Sequence, residues 1–191
     1  MHLAIEEYLN EKNIDTYLHR LAEVIEHAGI GPHQVLIVGG AAMALKFHDG
    51  RSTVDIDICI REQNHLYECC QKVAEAYNLP DDWMNADVMH SESFSYRLFD
   101  HAVLYKEYGE SLKAYVVDDL DHYCMKLISF RPKDVQDMEI LSQKLRSNGV
   151  RKDDVEKNFL RLYGDLYLMK NDDRKENFFH AQFKDNINAE L

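Results

Sequence analysis

The stretch VGGAAMALKFHDGRSTVDIDICI, residues 38–60, sets two adjacent glycines ahead of a small-residue segment and then places two aspartates two positions apart in an apolar run. Residues 34–38 have the length and composition of a short buried strand. Residues 41–47 are alanine-rich and helix-prone, and the His-Asp-Gly at 48–50 turns the chain. Over residues 53–60 polarity alternates. Val54, Ile56, Ile58 and Ile60 are expected on one face, with Arg51, Thr53, Asp55 and Asp57 on the other. One face belongs to a core and the other to solvent or to chemistry.

In an extended strand, residues two apart on one face stand about 6.5–7 Å from each other, so Asp55 and Asp57 can converge on a single cation. Magnesium is commonly held by one or two carboxylates together with substrate phosphates. With a nucleoside triphosphate supplying the other ligands, such an ion orients the α-phosphate and neutralises charge in the transition state. Gly39 and Gly40 fit the same picture: glycine lets backbone approach a phosphate closely, and the N–H groups that open the next helix face an anion. Plain alternatives exist for each element alone, a half-buried edge strand for the aspartates and a strand-to-helix turn for the glycines. The succession of glycine pair, short helix, turn and R-x-T-x-D-x-D brings two independent elements to one polyphosphate.

Working outward, residues 2–28 read as mostly helix, with Ile14, Leu18, Leu21 and Ile25 at helical spacing, stopped by Gly-Ile-Gly-Pro at 29–32. A helix is expected over 64–77 and a loop over 80–85 carrying the only tryptophan, Trp83. Strands follow over 102–105 and 112–117. A helix over 120–130 should turn Leu120, Cys124, Leu127 and Ile128 inward. Pro132 suits the first turn of another, running to about residue 146, and a last helix spans 153–169. Residues 171–191 are polar with scattered phenylalanines and are expected to be disordered or to dock on a partner. The 191 residues, 46% hydrophobic, allow one domain over 1–170 with its core at about 33–147. The expected class is α/β (α+β), a mixed sheet flanked by helices with additional C-terminal helices.

No apolar run of about 18 residues is present, and the N-terminus is acidic rather than a basic leader, so a soluble cytoplasmic protein without membrane partners is expected. Cys59, Cys69, Cys70 and Cys124 lack zinc or redox spacing and read as reduced core thiols. The net charge of −12 repels phosphate backbones and gives no general nucleic-acid footprint. Ten scattered histidines form no metal motif, and neither a serine-hydrolase elbow nor a Walker loop occurs.

The pattern VGGAAMAL…RSTVDIDI resembles the opening signature of the polymerase-beta-like nucleotidyltransferases, in which a glycine pair precedes a short helix and a strand bears D-x-D. It is closer to the bacterial branch that neighbours the toxins of type-IV abortive-infection systems, whose R-x-[ST]-x-D-I-D is matched by Arg51, Thr53, Asp55 and Asp57. YCMKLISFRPKDVQDMEIL resembles that branch's later segment, with Lys126, Arg131, Asp134 and Asp137 at its lysine, arginine and K-D-x-x-D positions. The Trp83 and Asn85 of DDWMN resemble a tryptophan-asparagine feature of the branch to which no job is assigned. The likeness covers roughly residues 35–145.

The resemblance implies transfer of NMP from an NTP to an acceptor hydroxyl, with pyrophosphate released and Mg2+, or Mn2+ in its place, held by Asp55 and Asp57. Gly39, Gly40, Arg51 and Thr53 would bind the nucleotide, and Lys126 and Asp137 would join the catalytic set. The acceptor is left open among tRNA, protein and small molecule, and a toxin role would bring an antitoxin protein as partner. The alternative is a catalytically silent fold used for nucleotide binding or protein interaction. On spacing alone Lys126 lies off the inward stripe and reads as solvated; facing a cleft, its ammonium could hold a β- or γ-phosphate. Asp134 and Asp137 share a helix face, as ordinary first-turn charges also do. The later strand, in LKAYVVDDLD, ends before Asp118 and Asp119 instead of carrying an acid within it. A third acid would have to be Asp137 or one of those two, or the site has two ligands.

Overall fold

The computed structural model describes residues 9–47, 52–62 and 65–183. These fall into two compact units, the first comprising residues up to His90 together with 102–117, the second 91–101 and the chain from Asp118 onward.

The first unit opens with α1 (Glu11–Ala28), whose first N–H groups are met by the Asn10 side chain and whose end is closed by Gly29 at φ 65°. Ile14, Leu18, Leu21 and Ile25 are buried, as their spacing predicts. Then come β1 (His33–Ile37), α2 (Gly39–Phe47), β2 (Ile56–Cys59), α3 (Leu66–Tyr77), β3 (Met84–Asn85), β4 (Val103–Tyr108) and β5 (Leu112–Val116). The five strands form one mixed sheet in the order β3-β2-β1-β5-β4. β1 runs antiparallel to β2 and parallel to β5. β3 is parallel to β2, and β4 antiparallel to β5. Val35, Leu36 and Ile37 are fully buried, as suits a central strand covered on both faces, and α1 packs against α3. The mixed sheet flanked by helices is therefore present.

The strand expected over 53–60 is shorter. Thr53 pairs through its backbone with Leu9, at 2.7 and 2.8 Å, which lifts residues 53–55 off the sheet. Val54 is consequently 54% exposed rather than inward, and Asp55 sits in a bend. Pairing begins at Ile56, whose N–H donates to the Trp83 carbonyl at 2.7 Å. β2 lies between β1 and β3, so it is no edge strand.

The second unit is helical: α4 (Asp119–Ser129), α5 (Pro132–Ser147), α6 (Lys152–Tyr163), α7 (Tyr167–Lys170) and α8 (Asp173–Gln182). α4 packs against α5, α6 and α7, and residues 121–128 are all buried. A stripe argument fails for such a helix, which is why Lys126, expected on the solvent side, is only 4% exposed. The single helix expected over 153–169 stops at Gly164, φ 72°, and restarts as α7. Within the segment expected to be a polar tail, α8 buries Phe179, and Phe183 meets Tyr123 edge-on at 5.3 Å; residues 184–191 lie outside the described residues. Among the described residues no helix is long and apolar enough to cross a membrane.

Candidate functional site

The register of β1 and β2 builds the site. Ile37 pairs with Ile58, and the Val38 N–H donates to the Asp57 carbonyl at 3.0 Å, so the residue after Val38 must pass beneath the Asp57 side chain. That residue is Gly39, with φ 63°, and a Cβ there would stand 2.6 Å from Asp57 Oδ2. Real Cβ atoms do not approach so closely, and an L side chain strains at this φ. The next residue, Gly40, is equally confined: its Cβ would meet Thr53 Oγ1 at 2.9 Å and Thr53 Cβ at 3.2 Å. At Gly39 the positive φ and the Asp57 carboxylate, and at Gly40 the Thr53 side chain, leave little room for a Cβ.

α2 itself has no polar stripe. Ala41, Ala42, Met43, Ala44 and Leu45 are all buried. Its intrahelical bonding starts with the Ala42 N–H donating to the Val38 carbonyl at 3.3 Å, and the N–H groups before that point lie at the positive end of the helix. The site therefore sets anion-attracting backbone beside two carboxylates. These are the opposite polarities that a cation-bound phosphate presents.

A residue the sequence named without a role completes this arrangement. Trp83 is fully buried, and its indole N–H donates to the Cys70 carbonyl at 3.0 Å. It anchors β3 in parallel register with β2, Ile56 opposite Met84 and Asp57 opposite Asn85. The Asn85 amide donates to Asp55 Oδ2 at 3.4 Å. The signal in the sequence was topological: a strand, a helix and a short apolar piece make a parallel crossover that returns beside β2, and so carries Asn85 to the aspartates.

Gly39, Gly40, Thr53, Asp55 and Asp57 come together in the first unit. Arg51 lies outside the described residues. Lys126 and Asp137 belong to the second unit, where they bind each other. The Lys126 ammonium is 2.6 Å from Asp137 Oδ2 and 3.1 Å from Asp134 Oδ1. Asp134 also accepts from Arg131 Nε at 2.8 Å, from the Arg131 N–H at 3.0 Å and from the Ser129 hydroxyl at 2.9 Å. Burial alone would raise its pKa, but the Arg131 bonds, the Lys126 charge and the Ser129 hydroxyl outweigh it and hold the carboxyl at about 2. Asp118 caps α4 through the Leu120 N–H at 2.9 Å, and Asp119 pairs with Lys144 at 2.8 Å. Among the described residues no group of three or more His, Cys, Asp or Glu could hold a metal.

The four cysteines are buried and free. Burial, followed by the Asp57 charge, pushes the Cys59 thiol up to about 12, so the cysteine nearest the site is an inert core group.

A central mixed sheet flanked by helices, with a glycine turn directly against a D-x-D segment, makes this a mixed-sheet α/β protein. Residues 14–189 match the model of a family described as "Nucleotidyltransferase of unknown function (DUF6036)", and the chain belongs to that family. Its chemistry is accordingly nucleotidyl transfer in the general sense. Neither the curated proteins nor the solved structures returned a match.

Proposed function

We propose that the protein transfers the NMP of a nucleoside triphosphate to an acceptor hydroxyl. The acceptor oxygen bonds to the α-phosphorus as its hydroxyl proton passes to water, the bond to the bridging oxygen breaks, and pyrophosphate leaves with the electron pair. The observation that carries this reading is the placement of the Asp57 carboxylate against Gly39, where a Cβ would be only 2.6 Å from Oδ2. The donor set fits magnesium: two carboxylates are the usual protein share when phosphates supply the remaining oxygens. Asp55 and Asp57 would hold the ion, which when bound neutralises charge building on the phosphates. Gly39 and Gly40 admit the triphosphate to the backbone, and the first N–H groups of α2 orient it. The protein would work in the cytoplasm, where NTP and magnesium are supplied.

The net charge of −12 favours a protein or small-molecule hydroxyl over tRNA as acceptor. The toxin reading, with an antitoxin protein as partner, rests on the resemblance of the R-x-T-x-D-I-D segment, and growth arrest on expression would support it. One observation favours a silent nucleotide-binding module: the described residues offer no third acid beside the pair. Tight NTP binding without pyrophosphate release across an acceptor panel would select that alternative.

The test is calorimetric titration of each NTP with and without magnesium, on the wild type and on Asp55→Asn. Magnesium-dependent binding that weakens about tenfold or more in the variant is expected. Binding that ignores both magnesium and the substitution would overturn the metal-triphosphate reading.

A further inference from the structure

Asp57 and Asp55 are held in different ways. Asp57 lies within β2, paired on one side with Val38 and in register with Asn85 on the other, so the sheet fixes its backbone. Asp55 precedes the strand, in the bend created where Thr53 pairs with Leu9, and no sheet pairing aims its carboxylate. What reaches it is the Asn85 amide, 3.4 Å from Oδ2, at the long end of an N–H···O bond.

That amide has its orientation set from both ends. Asn85 Oδ1 accepts the Asp87 N–H at 3.1 Å, a local turn characteristic of asparagine. Nδ2 donates to the Asp82 carbonyl at 3.3 Å as well as to Asp55. A backbone donor on the oxygen and a backbone acceptor on the nitrogen leave only one sense for the amide, so Asp55 receives an N–H and not a second oxygen. The backbone that carries Asn85 is in turn pinned by the buried Trp83.

We infer that Asn85 is a positioning residue for the metal-binding pair: it orients Asp55 from β3, holding one carboxylate oxygen while the other faces the cation. Resting on the nucleotidyl-transfer reading above, this gives Asn85 a role through Asp55 and none in contact with substrate. A neutral amide suits the task better than a lysine or arginine, because it steers the carboxylate without cancelling the charge that draws the metal.

The test separates this role from that of the local turn. Serine at position 85 can accept the Asp87 N–H through its hydroxyl, but it is too short to replace the amide at Asp55. Asn85→Ser should therefore keep the turn, with at most a small fall in thermal midpoint from the lost Asp82 contact, yet raise by about tenfold the magnesium concentration that supports half-maximal NTP binding. Asn85→Ala should lose the same metal affinity and some stability besides. Combined with Asp55→Asn, Asn85→Ser should cost nothing further, since both remove one function. In the wild type, the Asn85 side-chain amide signals should shift in NMR spectra on addition of magnesium with NTP.

Unshifted amide signals on a nucleotide-bound protein, wild-type magnesium dependence in Asn85→Ser, or additive losses in the double variant would each overturn the inference while leaving the metal-triphosphate reading standing. Absence of magnesium-dependent NTP binding in the wild type would overturn both.

Discussion

Two acidic pairs stand out in this chain, Asp55 with Asp57 and Asp134 with Asp137, and the structure treats them in opposite ways. Asp134 is fully buried and has its oxygens met by Lys126, Arg131 and Ser129, while Asp137 shares the same ammonium. Asp55 is partly exposed and accepts from a neutral amide, and Asp57 overhangs glycine backbone. The lesson lies in the company each acid keeps. A buried carboxylate whose cations are all internal cannot lose one of them without leaving a charge uncompensated in the interior, whereas Asp55 is met by a neutral amide.

The largest expected effect attacks the saturated pair. Lys126→Met removes the ammonium and leaves two acids short of their cation in the interior of the second unit, a loss of about 3–5 kcal/mol. Because Arg131 still holds Asp134, the lower end of that range is expected, read as a fall in the urea midpoint. A variant with unchanged midpoint but lost transfer activity would break the comparison and return Lys126 to phosphate binding.

The contrast also explains what could be read from the sequence. β1, β4, β5, α4 and α5 fall near their expected places because each carries its own periodicity or its own glycine and proline boundaries; α1 ends where expected, but Leu9, bridged to Thr53, and the N-cap Asn10 lie outside it. The glycine turn and the aspartates were equally legible, since close backbone approach leaves a mark in residue type. Three features depended on partners distant in sequence and left no local mark. Lys126 is buried because α4 is covered on all sides. Asp55 is off the strand because Leu9 captures Thr53. Asn85 is in the site because β3 returns beside β2.

A smaller effect on stability, with a larger one on function, is expected at the glycine turn. Gly39→Ala places a methyl group 2.6 Å from Asp57 Oδ2 at φ 63°, so the carboxylate must swing away and the backbone bears a left-handed penalty of about 1–2 kcal/mol. On the transfer reading, a shift of about 1 Å in that carboxylate costs about a hundredfold in rate, read as pyrophosphate release with the protein still folded. Activity close to wild type would show that the close approach of Asp57 to the turn serves packing alone.

The smallest effect on stability should come from Asp55→Asn, and it sharpens the comparison most. The asparagine keeps an oxygen for the Asn85 amide, and the change removes one of two like charges set near each other. The free protein should therefore keep its thermal midpoint to within about 0.5 kcal/mol, the range of substitutions that touch no buried network. The same measurement repeated with magnesium and NTP should divide the two proteins. A ligand at a hundred times its dissociation constant stabilises the folded state by about 2.7 kcal/mol, and the wild type should show that rise while a variant that binds about tenfold more weakly shows about half of it or less. If Asp55→Asn instead unfolded as readily as Lys126→Met, Asp55 would be a structural acid like Asp134, and the division between the two pairs would fall.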